Sequence, residues 1–395
     1  MLHAVEIKPD IYWVGAIDWT NRNFHGYTTY RGSTYNAYLI MDEKVTLIDT
    51  VKNTMTSELI ERISDIVDPA KIDYIVSNHV EMDHSGSLPA ILELAPNAKI
   101  ITSAPQGLKG LTAHYGEHDY LPVKTGDTLE IGKRTLTFVK TTMVHWPDNM
   151  VTYDANDKIL FSNDAFGQHF ASSRHFDDEN ELSAIMAQAQ KYYANIVMPY
   201  SKQTLTALDA LSGLDIDIIA PSHGIIWRSH IADIMAAYDK WAHFTADEYA
   251  IVVFDSMYHT TEKMADQYVE AFTRAGIPTR LFDLKVDHYS DVLTQVLTAK
   301  YVAVGSSTLN MGMLPTVAGF LHYLRGLSPK NTGRYGFAFG SYGWAPVGPK
   351  ECAEGLEAAG YELPYEPFTH NWTMTDDELV AMQDDLLEKI TELQQ

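Results

Sequence analysis

From residue 249 onward, strand-like and helix-like patterns alternate without a break, and this restricts the chain more than any other feature. Residues 249–254 are a short apolar run. Residues 261–275 then place Met264, Tyr268, Val269 and Phe272 at helical spacing, with Gly276 positioned to end the helix. Strand patterns at 279–284, 301–306 and 335–340 interleave with helical patterns at 293–298, 314–324 and 350–359. Thr375-Asp376-Asp377-Glu378 is a capping box that opens a last helix with Leu379, Met382, Leu386 and Ile390 on one face. Parallel neighbours need a long crossover, so strict alternation predicts a doubly wound parallel sheet for residues 248–395.

Residues 1–247 read differently. Short apolar runs at 11–14, 35–40, 45–50, 73–77, 98–102, 135–139, 150–153, 159–162 and 216–220 predict strands. Helical spacing appears at 57–67, 182–193 and 202–211. Several strands run straight into loops that hold His, Asp or Glu. A layered α/β domain fits this segment, giving two domains, 1–247 and 248–395. The net charge of −23 argues against nucleic acid or an anionic membrane surface as partner. The single cysteine, Cys352, excludes an internal disulfide and an iron–sulfur centre of the chain's own. The N-terminus has neither the basic nor the apolar region of a signal peptide, so a soluble, cytoplasmic protein is expected.

The segment His79-Val80-Glu81-Met82-Asp83-His84 directly follows a strand. One histidine after a strand is usually structural, but four metal-capable side chains within six positions have no packing reason to be there. Read as an extended loop, alternate residues point one way, so His79, Glu81 and Asp83 would line one cavity and His84 would turn to a second metal. His145, Asp164 and His223 lie at later strand ends, which makes seven candidate ligands, enough for two metals if one carboxylate bridges. The set holds no thiolate, and its carboxylate share favours iron or manganese over zinc. His25 and His169 are candidates for supporting these ligands, and Tyr200 and His25 are weak candidates for setting substrate preference.

This order of residues resembles the metallo-β-lactamase superfamily, whose zinc hydrolases usually carry His-x-His-x-Asp-His. Glu81 in place of the second histidine is the mark of the flavodiiron proteins, or A-type flavoproteins. The resemblance implies an N-terminal metallo-β-lactamase-like αββα domain followed by a flavodoxin-like sheet. It also implies that His79, Glu81 and His145 hold one iron, that Asp83, His84 and His223 hold the other, and that Asp164 bridges them. In some members the residue matching His84 does not bind metal.

The second domain offers a flavin site of its own. Ser256-Met257-Tyr258-His259-Thr260-Thr261 joins a strand to a helix, and its hydroxyls fall where free helix amides can hold a phosphate. Ser306-Ser307-Thr308-Leu309-Asn310 and Ser341-Tyr342-Gly343-Trp344 follow the next two central strands. Doubly wound sheets bind ligands at this carboxyl edge, and Tyr342 or Trp344 could cover an aromatic ring. The three loops resemble the flavodoxin pattern for flavin mononucleotide (FMN). No Gly-x-Gly-x-x-Gly, Walker phosphate loop or Gly-x-Ser-x-Gly elbow is present.

The resemblance implies reduction of dioxygen to water or of nitric oxide to nitrous oxide, with FMN passing electrons to two iron ions. The chain would be of the minimal class, taking electrons from a separate donor such as rubredoxin or reduced deazaflavin. It would act as a head-to-tail homodimer or a dimer of dimers. One alternative is a zinc-dependent hydrolase with an appended flavodoxin-like domain, against which Glu81 and the flavin loops argue. Another is an electron carrier with a vestigial metal domain, against which the seven filled ligand positions argue.

Overall fold

The computed structural model describes residues 2–328 and 333–395. The chain divides into two compact units. One comprises the residues up to Tyr192 together with Lys202–Ala242, and the other comprises Tyr193–Ser201 with His243–Gln395.

The first unit is built on two sheets. The larger has seven strands in chain order: Val5–Lys8, Ile11–Trp13, Tyr38–Ile40, Val45–Ile48, Ile72–Ser77, Lys99–Ser103 and Tyr120–Val123. Its first four strands pair antiparallel and its last four pair parallel. The smaller sheet runs Thr128–Glu130, Thr135–Lys140, Met150–Asp154, Ile159–Asn163 and Ile218–Pro221. Strand periodicity explains how they pack. In the larger sheet Tyr38, Ile40, Ile48, Val76 and Ile101 face a core shared with Phe138, Met150, Ile159 and Phe161 of the smaller sheet. Their neighbours Leu39, Leu47, Ile75 and Ile100 point the other way, against Leu59 and Ile63 of the helix Thr56–Ile66 and Leu88 and Ile91 of the helix Leu88–Leu94. This is the metallo-β-lactamase-like layering, with the smaller sheet's strands ending where His145, Asp164 and His223 begin.

The second unit holds a five-stranded sheet in the order Thr279–Asp283, Asp247–Asp255, Ala299–Ser306, Tyr335–Tyr342, Phe368–Asn371. Every pair is parallel, as strand–helix alternation requires. Ala250, Val252, Phe254, Tyr301 and Phe339 pack against Met264, Tyr268 and Phe272 of the helix Thr260–Arg274. Leu379, Met382, Leu386 and Ile390 of the capped helix Asp376–Leu393 close the same face. Asp255 and Ser306 lie side by side in register, so the loops after the strands emerge at one edge. The fifth strand, Phe368–Asn371, went unread in the sequence. It is a four-residue edge strand with no buried residue, so it carries no apolar pattern.

Candidate functional site

The ligand-rich loop is not extended throughout. The backbone N–H groups of His84 and Ser85 both donate to the Glu81 carbonyl, at 3.0 and 2.9 Å. The Ser85 hydroxyl caps the same turn by donating to the carbonyls of Val80 and Glu81. Residues Met82–Ser85 therefore form one helical turn. This overturns the expectation of an extended loop presenting His79, Glu81 and Asp83 as one row of ligands to one metal, although Glu81 and Asp83 still line one cavity. The turn swings Asp83 away, and two groups result: His79, Glu81, His145 and Asp164, and beside them Asp83, His84 and His223.

Asp164 faces both groups. Its Oδ2 lies 3.6 Å from His79 Nε2 and 3.4 Å from His145 Nε2. Its Oδ1 lies 3.0 Å from His84 Nε2 and 3.6 Å from His223 Nε2. Glu81 Oε2 is 3.2 Å from His79 Nε2 and 3.4 Å from His145 Nε2. Asp83 Oδ2 is 3.1 Å from His223 Nε2. All four imidazoles thus turn Nε2 inward. The outward nitrogen is held from behind in two of them: His79 Nδ1 donates to Asp148 Oδ2 at 2.8 Å and His223 Nδ1 to the Thr34 carbonyl at 2.7 Å. These bonds leave a lone pair on each Nε2 aimed into the cluster, the arrangement metal-ligating histidines use.

The electrostatics fit cations. Seven residues, three of them carboxylates, are buried here. Both oxygens of Asp83 and of Asp164, and His84 Nε2, are buried without a well-aligned hydrogen-bond partner. Buried charges without such partners are costly unless opposite charge is supplied. The site draws in positive charge accordingly. Burial disfavours a charged His84, but Asp83 and Asp164 outweigh it and push the imidazole up to about 9. Burial likewise opposes ionisation of Asp164, yet the surrounding histidines hold its carboxyl well below the usual range. Two divalent metal ions meet this demand with the donor set present, carboxylate and imidazole without thiolate.

Of the supporting candidates, His25 places Nε2 2.6 Å from Glu81 Oε1, on the short hairpin Asn23–Thr28. His169 accepts or donates to Ser33 Oγ at 2.6 Å, and its ring lies 4.8 Å from that of His223. Tyr200 falls in the segment Tyr193–Ser201 of the other unit. A cavity of about 640 Å³, lined in part by Phe24, His25, Lys52, Glu81, Met82, Asp83 and Tyr115, opens beside both clusters. Asp148 was missed in the sequence. It is a single acid in an irregular loop, and nothing in its spacing separates it from a surface aspartate.

In the second unit, one hydroxyl ties the three loops together. Thr261 Oγ1 lies 3.0 Å from Ser307 Oγ and 3.1 Å from Ser341 Oγ. Beside them is a cavity of about 420 Å³. Met257, Tyr258, Thr260, Ser307, Thr308, Leu309, Asn310, Ser341, Tyr342, Gly343 and Trp344 line it. Ser256, His259, Thr261 and Ser306 are outside its walls. Ser306 is spent on the fold, since its hydroxyl donates to the Ser307 carbonyl and accepts from Leu314 N–H. His259 pairs with Glu262 at the surface. The Ser256 hydroxyl is buried with no protein partner, in the turn that precedes the free amides of the helix Thr260–Arg274. An orphaned donor there, next to a helix N-terminus, suits a phosphate, and the mixed apolar and hydroxyl walls suit a flavin.

Fold and site together define a two-unit redox flavoprotein class, a metallo-β-lactamase-like metal domain in one chain with a flavodoxin-like domain. A family model described as ODP family beta lactamase matches residues 34–224, and a flavodoxin model matches residues 252–385. The chain is 46% identical over 373 residues to the nitric oxide reductase of Moorella thermoacetica, covering 93% of each. It is similar to the structure of rubredoxin oxygen:oxidoreductase from the anaerobe Desulfovibrio gigas, with a TM-score of 0.94 and 40% identity over 99% of each chain. The flavodiiron protein from Giardia intestinalis also superposes with a TM-score of 0.94, at 36% identity over 98% of this chain and 96% of that one. The chain belongs to the flavodiiron protein family.

Proposed function

We propose that this protein reduces dioxygen to water, nitric oxide to nitrous oxide, or both, using FMN and two iron ions. The observation that carries the reading is Asp164, one buried carboxylate facing two imidazole–carboxylate clusters in a chain whose other unit presents flavin-type loops. His79, Glu81 and His145 would hold one iron, Asp83, His84 and His223 the other, with Asp164 shared. Bound FMN and iron supply storage for up to four electrons, as dioxygen plus four electrons and four protons gives two waters. Two nitric oxide molecules need two electrons and two protons to give nitrous oxide and water.

The chain's own residues set the conditions for this chemistry. Asp148 fixes which His79 nitrogen carries the proton, leaving Nε2 as the donor atom. Thr34 does the same for His223 through its carbonyl. His25 holds the outer oxygen of Glu81, leaving the inner one for the cluster. The cavity bounded by Phe24, Met82 and Tyr115 admits a small gas. In the second unit, Thr261, Ser307 and Ser341 keep the flavin loops in register.

Electrons would come from a separate protein or cofactor such as rubredoxin or reduced deazaflavin, in the cytoplasm. Among the described residues no helix is long and apolar enough to cross a membrane. The working form would be a head-to-tail dimer, alone or paired, in which each chain's flavin serves its partner's irons. Anaerobic preparation followed by metal and flavin analysis tests the reading. About two irons and one FMN per chain, with consumption of dioxygen or nitric oxide on adding a reduced donor, are expected. Zinc without flavin, with thioester or lactone hydrolysis, would establish the hydrolase instead.

A further inference from the structure

Trp372 lines the 420 Å³ cavity, although it belongs to none of the three loops that flavodoxin-type patterns mark. It follows the short fifth strand Phe368–Asn371, and two sets of bonds clamp it to the fourth-strand loop. Its backbone N–H donates to the Tyr342 carbonyl at 2.9 Å. The Asn371 side-chain amide donates to the carbonyls of Tyr342 and Gly343, at 3.2 and 2.6 Å. The backbone at Trp372 is left-handed, with φ of +63°. For a bulky residue that conformation is strained and persists only where the surroundings enforce it. The enforced outcome is the position of the indole. Its six-membered ring lies over Gly343, where an added Cβ would meet Cη2 at 3.4 Å and Cζ3 at 3.5 Å. Gly343 therefore lets the ring come down onto the backbone.

The indole nevertheless gains little from the protein itself, because Trp372 is 68% exposed. Trp344, on the same cavity, is 74% exposed and is held by donation from its Nε1 to Met311 Sδ at 3.3 Å. Two positioned, uncovered indoles on one cavity call for a planar apolar partner.

We propose that Trp372 is a flavin-binding residue, a wall of the ring pocket supplied by the fifth-strand loop, and that it strengthens FMN binding. The proposal rests on reading this cavity as the FMN site. The test removes FMN from the purified protein and titrates back FMN and, separately, riboflavin, which lacks the phosphate. Flavin fluorescence and the visible spectrum are followed for wild type, Trp372→Ala, Trp372→Phe and Ser256→Ala. Trp372→Ala is expected to weaken both ligands by about tenfold and shift the bound-flavin spectrum, while Trp372→Phe stays within about threefold. Ser256→Ala is expected to weaken FMN and spare riboflavin. A Trp372→Ala protein that binds FMN within twofold of wild type, with an unchanged spectrum, would overturn the proposal and leave the FMN site standing. The same unchanged affinity with an altered oligomeric state would assign the indole to a protein interface and overturn it equally. Wild-type protein that fails to rebind FMN would remove both the site and the proposal.

Discussion

His79 shows how much of a metal centre depends on a residue that touches no metal. Asp148 Oδ2 accepts from His79 Nδ1 and from the Val80 backbone N–H, both at 2.8 Å. Asp148→Ala leaves two buried donors unpaired and frees the imidazole to rotate. Iron affinity is expected to fall about 10–100-fold, read by competition with a chelator. A second histidine reports on stability, away from the ligands. His175 lies against Trp13, with ring centroids 4.2 Å apart. Burial, reinforced by Arg62, pushes its imidazole down to about 4. The folded state therefore prefers the neutral ring, and the unfolded chain takes up a proton first as pH falls. The stability this group contributes is complete above about pH 6.5 and is lost progressively toward pH 4, up to about 3 kcal/mol. His175→Gln should flatten that part of the profile, measured as the difference in urea midpoint between pH 7 and pH 4.5 relative to wild type.

Among elements, the loop after the strand Ile218–Pro221 leaves no room for a side chain at Gly224. Gly224 has φ of +78°, and a Cβ there would sit 1.4 Å from Gln168 Oε1 and 2.2 Å from the Gln168 carbonyl oxygen. Gln168 in turn accepts from Ile225 N–H, so it cannot retreat without breaking that bond. Gly224→Ala should displace the adjoining His223 and cost several kcal/mol. The expected result is a chain with roughly half its iron or an insoluble one, read by metal analysis of the soluble fraction. The same loops show how far a sequence can be read. Strands buried on both faces announced themselves through runs such as Ile75-Val76 and Ile100-Ile101. Four ligand-type residues in six positions stood out because packing gives no reason for them. Alternation along the loop did not give their grouping, which came only through the family resemblance, because the turn at Met82–Ser85 is made by backbone bonds and a Ser85 hydroxyl that no local pattern announces. Asp148 and Trp372 escaped for a related reason. Each acts through contacts with residues distant in the chain, and neither sits in a local pattern.

For the whole molecule, the proposed head-to-tail arrangement makes a quantitative prediction. One variant, His145→Ala with His223→Ala, keeps the flavin site and loses iron. A second, Ser307→Trp, fills the flavin cavity and keeps the iron ligands. Each alone should be inactive. If electrons pass between chains, an equal mixture refolded together should recover about a quarter of wild-type turnover, since half the dimers are mixed and each has one complete pair of sites. If electrons pass within a chain, the mixture stays as inactive as its parents. The charge of −23 means that any acidic donor approaches against an overall repulsive field, so donor turnover should rise with moderate salt.

The segment Tyr193–Ser201 bears on how such a chain can be taken apart. It belongs with His243–Gln395, although residues of the first unit flank it on both sides. Within the second unit, the Asn195 side-chain amide donates to the Ser290 carbonyl at 3.2 Å, and Tyr323 Oη donates to Asn195 Oδ1 at 3.0 Å. The polypeptide thus passes from one unit to the other three times, at 192/193, 201/202 and 242/243. A gene cut once after residue 242 would yield a flavodoxin-like piece missing nine of its own residues, and swapping that piece between relatives would mean exchanging two stretches of sequence at once.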